Sequence, residues 1–396
     1  MGNADLVRAS RDGDQFHYLW AARKALLLLN PLSGLHTLTI EGPSKSEFIE
    51  EVEDGEEIVD VGEYYTSNHF SDASKIIYTQ LKHSTLHAKT PFDPSKLRNT
   101  IEGFSKRYRS LIERESKDQV LKKVEFHFVS NRAINDEFYK SICELQETGK
   151  VTKPTNLEKL ELYTNLKGKD LEDFIKLVKF PSQEPNYIAQ REILAQDVAY
   201  YLPGDDVNAP NELKELITRK ALSENTDTPE IKRYDVLRAL KTNPDDLFPV
   251  KNLIKQLDKI VDRTSVRTLI DTITQSHTQK IIIQAEGGVG KSILSTQIHN
   301  YIPSGSLSII YDCFGNGDYR QSSSAKHAHK TALVQIANEL AGLGLCHPLI
   351  PTTNAGPSEY IKAFLFRLKQ VSERISNDNN QLFIVIDAAD NSQMAA

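Results

Sequence analysis

The chain has 396 residues, which is long enough for two or three domains with buried cores. Hydrophobic residues make up 39% of the sequence and charged residues 26%, which excludes a disordered or collagen-like chain. The formal net charge of −6 excludes a globally cationic nucleic-acid-binding protein, so any such site must be a local patch.

Cysteine usage and hydropathy indicate the compartment. The three cysteines, Cys143, Cys313 and Cys346, are too few and too scattered for a disulfide framework or a cysteine-rich zinc site, and they favour a reducing compartment. No apolar run approaches the roughly 20 residues that cross a bilayer, and the N-terminus lacks the regions of a signal peptide. We therefore expect a cytoplasmic protein with no membrane partner.

The front of the chain mixes helix and strand patterns. Apolar residues recur at near-helical spacing over residues 13–29, and Asn30-Pro31 ends that pattern. Three strand candidates follow at 36–41, 57–66 and 75–82, each with apolar and polar residues at roughly a period of two. The pattern predicts a helix followed by a small sheet.

Polar side chains stand at selected places on these strands. Glu41 ends the first strand, Asp60 lies in the second, and Gln80 and Lys82 share a face of the third because strand side chains alternate. Carboxylate and amide oxygens are the ligands that Mg²⁺ prefers, a bound metal can activate water against a phosphodiester, and a lysine can stabilise the developing negative charge. This set predicts a nuclease with Glu41, Asp60 and Gln80 as metal ligands and Lys82 as the fourth catalytic residue.

Ordinary explanations exist for the same residues. A Q-x-K sequence is common, and lysine on an exposed strand edge serves solubility. Asp60, between two valines, is equally compatible with a solvated position. The basic helix predicted over residues 96–115 opens a Lys- and Arg-rich stretch that could bind a phosphate backbone, but interspersed acidic residues make a solvated face as plausible.

The middle of the chain leads to a domain boundary. A strand is predicted over residues 124–130, and a mostly helical pattern runs from 136 to about 240, with one possible strand at 160–163. Turn-forming residues at 242–246 mark a boundary. We predict an effector domain over residues 1–240, a linker over 241–262 and a nucleotide-binding domain over 263–396.

The rear domain opens with a helix predicted over residues 252–273 and an apolar strand over 280–284. The glycine loop (residues 285–292, AEGGVGKS) then matches G-x-x-x-x-G-K-[ST] except that Ala285 replaces the first glycine. In such loops backbone N–H groups surround phosphate oxygens, and the following helix adds its partial positive charge. A glycine-rich turn before a helix is the plain alternative. The predicted nucleotide-binding residues of the loop are Gly287, Gly288, Val289, Gly290, Lys291 and Ser292.

Within this loop Lys291 is expected to reach the β- and γ-phosphates and Ser292 to hold Mg²⁺. Residues 382–386 read as a buried parallel strand, and Asp387 directly after it is expected to bind the same ion through water. Asp390 could orient the attacking water, although apolar strands also end in Asp at ordinary turns. A strand over residues 307–312 and helices from about 325 and 358 complete a doubly wound α/β pattern.

Four successive motifs resemble a known family: GGVGKS, YDCFGNGDYR, KHAHKTALVQIANELAGLGLCHPL and FIVIDAADNSQMAA. Over about residues 262–396 they look like the STAND-class NTPases of bacterial antiphage defence, the Avs-type group. The resemblance implies an ATP- and Mg²⁺-binding module that oligomerises after sensing a phage protein and then activates an N-terminal effector. That family continues beyond the strand that corresponds to residues 382–386 with Asp387, its Walker B motif, so we expect a partial NTPase domain here and a phage-protein trigger only in a full-length relative.

The front half resembles a second family through GDQFHYLWAARKALLLL, TLTIEG, VDVGEYY, IIYTQLKHS and FHFVSNRAI. Over about residues 13–135 these look like the PD-(D/E)xK nucleases, in particular the effector domain shared by antiviral STAND proteins and CBASS-type double-stranded DNA endonucleases. Gln80 in place of the usual acidic residue is the Mrr-like form. The resemblance implies a restriction-endonuclease-like fold, a homo-oligomer (dimer or tetramer), and an assisting polar residue on the first helix, Asp14 or Gln15.

The combined prediction is an α/β protein. A restriction-endonuclease-like mixed sheet flanked by helices precedes a partial P-loop NTPase with a doubly wound parallel sheet. The expected function is antiphage defence by a Mg²⁺-dependent double-stranded DNA endonuclease under the control of an ATP-binding module. Two alternatives stay open: a non-catalytic nuclease-like module that binds DNA or a partner in a nucleotide-dependent oligomerisation switch, and an ATPase with an adaptor N-terminus.

Overall fold

The computed structural model describes most of the chain, and the account that follows is restricted to that part. The described residues are 3–47, 55–181, 183–225, 227–250, 263–276, 280–315, 328–375 and 380–390, with single positions at 252, 254, 257, 261 and 326.

Contacts divide the chain into two units. Unit 1 comprises Met1–Val198 and Val207–Leu240, and unit 2 comprises Ala199–Asp206 and Lys241–Ala396. The short stretch Ala199–Asp206 therefore groups with unit 2 although unit 1 residues flank it on both sides.

Unit 1 is built on a mixed six-stranded sheet with the strand order β5-β4-β3-β2-β1-β6. Strand β1 pairs antiparallel with both β2 and β6, and β2 pairs antiparallel with β3. Strand β4 pairs parallel with β3, and β5 pairs parallel with β4. The strands are β1 (Leu35–Ile40), β2 (Val61–Tyr65), β3 (Lys75–Lys82), β4 (Val124–Ser130), β5 (Val178–Lys179) and β6 (Glu230–Ile231).

Helices flank this sheet. They are α1 (Asn3–Ala25), α2 (Pro94–Arg114), α3 (Lys117–Lys123), α4 (Asp136–Thr148), α5 (Pro154–Thr164), α6 (Gly168–Leu177), α7 (Tyr187–Ala199), α8 (Ala209–Lys220) and α9 (Arg233–Ala239). The mixed α/β architecture confirms the predicted fold class at this level.

The α2 face of the sheet carries an aromatic core. Phe104 and Phe126 pack with ring centroids 5.2 Å apart, and Phe126 continues to Tyr78 at 5.7 Å. Even-numbered residues of β3 and β4 supply this core because alternate strand side chains point to the same face. Burial of these large rings is the main source of stability on this face.

A buried ion pair lies in the same region. The guanidinium of Arg107 in α2 donates to the carboxylate of Glu47, and both side chains are fully buried. The hydroxyl of Tyr64 donates to Glu47 Oε2 at 2.6 Å, and that of Tyr78 donates to Oε1. The network gives hydrogen bonds to both carboxylate oxygens of the buried Glu47, whose charge would otherwise be costly, and it ties the segment after β1 to α2.

Unit 2 contains a pair of parallel strands, β7 (Leu307–Asp312) and β8 (Leu382–Asp387), aligned so that Asp312 faces Asp387. Apolar residues of this pair pack with α14, and the cluster includes Ile309, Tyr311 and Val371. The helices of the unit are α10 (Pro244–Leu247), α11 (Thr264–Gln275), α12 (Lys291–Gln297), α13 (His329–Gly342) and α14 (Pro357–Ile375).

Two predicted strands are not formed. Residues 160–163 belong to helix α5, where Leu160 and Tyr163 are buried one turn apart behind Pro154 at the first turn. The four residues Leu-Glu-Leu-Tyr are too few to distinguish a strand from a helix. Residues 280–284 have no regular structure, and Ile282 is 92% exposed, because no strand among the described residues pairs with them. The helix predicted from residue 252 begins, among the described residues, at Thr264.

No helix in the described part of the chain combines the length and the apolar character needed to span a membrane.

Candidate functional site

Asp60 lies at the end of the unit 1 sheet, immediately before β2. Its backbone N–H donates to the carbonyl of Thr79 at 3.0 Å, and its carboxylate Oδ2 accepts the N–H of Leu81 at 2.6 Å. The two bonds engage the backbone groups on either side of Gln80, the carbonyl of Thr79 and the N–H of Leu81. The Asp60 carboxylate thus continues the β2–β3 hydrogen-bond ladder by one step, which fixes it at the sheet end.

Glu41 lies beside Asp60 because β1 and β2 are neighbouring strands. Its N–H donates to the Asp60 carbonyl at 2.9 Å, and its φ of 54° lies in the left-handed region that residues other than glycine rarely adopt. Such a conformation costs on the order of 1 kcal/mol and persists where surrounding contacts fix it. Here it turns the chain away from the sheet directly at the predicted ligand.

Burial and neighbouring charges shift the pKa values of both carboxyl groups. Burial, together with the negative charges of Asp60 and Asp14, raises the pKa of Glu41 to about 7. Burial also raises the pKa of Asp60 to about 6, although the Leu81 N–H and the charge of Lys82 oppose that shift. The charge of Asp14 in α1 reaches this group, and the choice between Asp14 and the uncharged Gln15 as the assisting residue stays a prediction. Three carboxyl groups in one field favour a bound cation or proton.

Two further α1 residues, His17 and Tyr18, share the helix face of Asp14, since positions i, i+3 and i+4 are neighbours. Burial and the charge of Lys82 lower the pKa of His17 to about 4 despite a hydrogen bond to the Leu81 backbone, so the imidazole is neutral at pH 7. Burial and the charges of Asp14 and Glu41 raise the pKa of Tyr18. The sequence predictions did not include these two residues, although their helical spacing from Asp14 was a usable signal.

The side chains of Lys82 and Gln80 differ in exposure and in the groups that they contact. Lys82 is exposed at the end of β3, where its charge acts on Asp60. Gln80 is only 4% exposed, and its side-chain oxygen accepts the hydroxyl of Thr100 in α2. The structure therefore brings Glu41, Asp60 and Lys82 together, while the Gln80 amide is engaged by a helix. Its oxygen keeps a second lone pair for another partner.

Among the described residues, no group of three or more His, Cys, Asp or Glu side chains is placed to hold a metal ion. The Glu41 and Asp60 carboxylates are nevertheless the oxygen donors that fit a hard divalent cation. Burial raises both pKa values, the charges of Asp60 and Asp14 add to the shift of Glu41, and a bound cation would oppose these effects by favouring the ionised carboxylates. Two protein carboxylates with waters completing the shell is the usual arrangement for Mg²⁺.

The raised pKa of Glu41 predicts a pH-dependent stability. Because the folded chain holds this proton up to about pH 7, whereas the ordinary value is 4.5, the free energy of unfolding falls as pH rises between those values. We expect Glu41→Gln in EDTA to stabilise unit 1 at pH 8 by about 1 kcal/mol, which is the free energy that remains of the pKa shift after screening by solvent. At pH 5 the substitution should have little effect on the free energy of unfolding. Urea unfolding followed by the fluorescence of Trp20, the single tryptophan, measures this.

The matched control is Glu102→Gln on the exposed part of α2, which should change the free energy of unfolding by less than about 0.5 kcal/mol at either pH. Equal stabilisation by Glu41→Gln at both pH values would show that folding does not raise the pKa of the Glu41 carboxyl group.

The glycine loop of unit 2 turns through two glycines with positive φ, Gly288 at 80° and Gly290 at 99°. A side chain would strain both positions. Helix α12 begins at Lys291, whose Nζ donates to the carbonyls of Ala285 at 2.7 Å and Glu286 at 2.8 Å. The ammonium is thus held over the loop by backbone oxygens, and residues 285–290, Val289 among them, are exposed.

Asp387 ends β8 close to this loop and is 8% exposed. Burial raises its pKa, and the charges of Asp312 and Asp390 add to the effect, while a hydrogen bond from Ser292 and the charge of Lys291 oppose it. The predicted residues Lys291, Ser292 and Asp387 therefore converge. Asp390 is exposed and acts on Asp387 through its charge.

Asp312, which the sequence analysis did not single out, ends β7 next to Asp387. Its Oδ1 accepts the N–H groups of Phe314 at 3.0 Å and Gly315 at 2.9 Å, and its Oδ2 lies 3.9 Å from the ammonium of Lys326. The carboxyl ends of parallel strands meet at one edge, which explains why the two aspartates are neighbours. An Asp at the end of a predicted apolar strand was the signal available in the sequence.

Comparison with known proteins concerns unit 2. The model of a family described as nephrocystin 3, N-terminal, matches residues 257–395. The chain matches none of the curated proteins with which it was compared. The family match falls on the same stretch whose motifs resemble STAND NTPases, and it does not extend to the strands that carry Glu41, Asp60 and Lys82.

Proposed function

We propose that the chain is a Mg²⁺-dependent endonuclease that cleaves double-stranded DNA in antiphage defence and is controlled by ATP binding in unit 2. The observation that carries the nuclease proposal is the position of two carboxylates with raised pKa, Glu41 and Asp60, beside Lys82 at one end of the sheet. The restriction-endonuclease-like assignment of unit 1 is part of this proposal and agrees with its mixed sheet.

In this proposal each residue has a separate task. Glu41 and Asp60 hold the cation, which when bound polarises the scissile phosphate and makes water a better nucleophile. Lys82 places its ammonium against the phosphate oxygens and stabilises the charge that develops during hydrolysis. Gln80 offers its remaining oxygen lone pair as a further ligand, and its hydrogen bond with Thr100 fixes the amide orientation. The neutral His17 supports the Leu81 peptide to which Asp60 is bonded.

For unit 2 we propose a P-loop-type nucleotide site. Lys291 exchanges the carbonyls of Ala285 and Glu286 for the β- and γ-phosphates, and Ser292 and Asp387 hold the accompanying Mg²⁺. Support comes from the convergence of these side chains and from the family match over residues 257–395. ATP binding would regulate homo-oligomer assembly rather than supply energy for cleavage. The three cysteines are free, which agrees with a cytoplasmic location.

The test is cleavage of supercoiled plasmid by the full chain in Mg²⁺ and in EDTA, with and without ATP. We expect nicking and linearisation that require the metal, because Glu41 and Asp60 alone cannot activate water against a phosphodiester. Binding of the plasmid without cleavage in Mg²⁺ would contradict the nuclease proposal.

A second candidate, a non-catalytic nuclease-like module, is favoured by two specific observations. The Gln80 amide is bonded to Thr100, and the described residues offer no three-carboxylate or histidine-containing metal group. This candidate predicts nucleotide-dependent DNA or partner binding with no loss of supercoiled plasmid in Mg²⁺. The same assay therefore separates the two candidates.

A further inference from the structure

The Lys- and Arg-rich stretch over residues 96–123 of unit 1 contains cations with different surroundings. Several of them already have protein partners, as Arg107 has in the buried carboxylate of Glu47. The other engaged cations are Arg98 with Glu102, Arg114 with Glu47, Lys117 with Asp170 and Asp173, and Lys123 with the carbonyls of Phe70 and Ser71. These contacts give the engaged cations a role within the fold.

Two exposed lysines of this stretch differ from the engaged cations. Lys96 in the first turn of α2 and Lys122 in the last turn of α3 form no hydrogen bond or ion pair with any described residue. Lys122 lies two residues before β4, whose first residue, Val124, is paired with Ile76 near the start of β3. It therefore lies at the end of the sheet opposite to Lys82.

Helix α2 runs in the opposite direction to β3. Thr100 of α2 donates to the side chain of Gln80, near the carboxyl end of β3. One turn later in α2, Phe104 packs on Phe126, which is paired with Tyr78. The path toward the start of α2 is therefore the path toward the carboxyl end of β3.

This direction places Lys96 at the level of Lys82. Lys96 lies four residues before Thr100, about 6 Å along the helix axis. Lys82 lies two residues after Gln80, about 7 Å along the strand, and its side chain points to the α2 face because strand side chains alternate. Both ammonium groups therefore belong to the same end of unit 1.

Lys96 also lies on the side of α2 that faces the chain leading to Asp60. Residues 96, 100, 103 and 107 share that side, since positions three and four apart in a helix are neighbours. A Cβ on Gly103 would lie 2.7 Å from the side chain of Ile58, which is two residues before Asp60. Arg98 lies on the other side, with its guanidinium 5.9 Å from the centre of the Tyr163 ring in α5.

We propose that Lys96 binds a phosphate of the DNA backbone next to the phosphate that Lys82 contacts. This inference rests on the proposed function, because it takes duplex DNA as the ligand. A lysine on a backbone phosphate contributes affinity and orientation without reading the sequence. Lys96 thus fixes the strand beside the hydrolysed bond, while the chemical step belongs to Glu41, Asp60 and Lys82.

The experiment measures the binding of a short fluorescently labelled DNA duplex to the full chain in EDTA, over a series of potassium chloride concentrations. We expect Lys96→Ala to weaken binding about 5- to 10-fold at about 0.1 M salt, because one phosphate contact fewer releases one counterion fewer. The slope of log affinity against log salt should become shallower by about 1. Lys96→Arg keeps the charge and should bind as the wild type does.

Lys122→Ala is the matched control, since it removes the same charge from an exposed side chain at the opposite end of the sheet. It should leave both the affinity and the salt slope unchanged. Equal losses for Lys96→Ala and Lys122→Ala would show a general effect of net charge and overturn the proposal. An unchanged affinity for Lys96→Ala would also overturn it.

The same measurements distinguish failure of this inference from failure of the proposed function. Plasmid cleavage in Mg²⁺ and duplex binding by the wild type, with no effect of Lys96→Ala on binding, would contradict only the role of Lys96. A wild-type chain that neither binds the duplex nor cleaves plasmid would contradict both. Weaker duplex binding by Lys96→Ala in a chain that cleaves no plasmid would support the role of Lys96 in the non-catalytic candidate.

Discussion

Replacing Lys82 by alanine is expected to lower the rate of Mg²⁺-dependent plasmid cleavage by about 100- to 1,000-fold, the usual effect of removing one group that stabilises transition-state charge. The exposed end of β3 loses its ammonium, and Asp60 loses the positive charge that lowers its pKa. Because the side chain is exposed, folding should be unaffected. Initial rates of supercoiled plasmid loss, at equal protein concentration and with unchanged circular dichroism, measure the effect.

The control for this variant lies on the same strand. Lys75 begins β3 at the opposite end from Lys82, where it pairs with Glu125 at 3.0 Å, and its side chain is 41% exposed. Lys75→Ala removes the same charge from the same element and should leave the cleavage rate within about twofold, since surface ion pairs contribute little. Equal rates for Lys82→Ala and wild type would remove Lys82 from the site.

The second large effect is expected in unit 2. Lys291→Ala should weaken ATP binding by about 10- to 100-fold, which corresponds to the roughly 1.5–3 kcal/mol of a hydrogen bond to a charged group. The variant also loses the bonds from Nζ to Ala285 and Glu286 that hold the ammonium over the loop. Isothermal calorimetry with Mg·ATP gives the dissociation constant directly.

Lys330 of α13 provides the matched control for this variant. Its ammonium lies 3.3 Å from the Thr352 carbonyl and 4.8 Å from the centre of the Tyr360 ring, away from the glycine loop in sequence. Lys330→Ala should leave the affinity for ATP unchanged. Similar affinities for Lys291→Ala and Lys330→Ala would refute a nucleotide site at residues 285–292.

Local patterns were sufficient where a segment's own residues determine its structure. Strands β3 and β4 have the predicted bounds because their alternation runs over seven or eight residues. The strand predicted over residues 160–163 is wrong, because Leu-Glu-Leu-Tyr is too short to distinguish the period of a strand from that of a helix. Residues 280–284 lack a strand because a strand needs a partner, and no sequence pattern supplies one.

The candidate site was predictable only in part for the same reason. Glu41, Asp60 and Lys82 occur at strand ends, and strand pairing brings such positions together. The Thr100 partner of Gln80 comes from a helix, and its contact depends on how α2 packs on the sheet. His17 lies within the quoted motif that begins at Gly13, but its surroundings at the site follow from burial and from contacts distant in sequence.

The central claim is that Glu41 and Asp60 hold a divalent cation beside Lys82. Mn²⁺ in place of Mg²⁺ makes this visible, because its anomalous scattering locates the ion in crystals of the full chain. We predict an anomalous peak between the Glu41 and Asp60 carboxylates, at about 2.0–2.1 Å from their oxygens, the range for the octahedral Mg²⁺ that Mn²⁺ replaces. Crystals in saturating Mn²⁺ that show no peak there, with both carboxylates unliganded, would contradict the account.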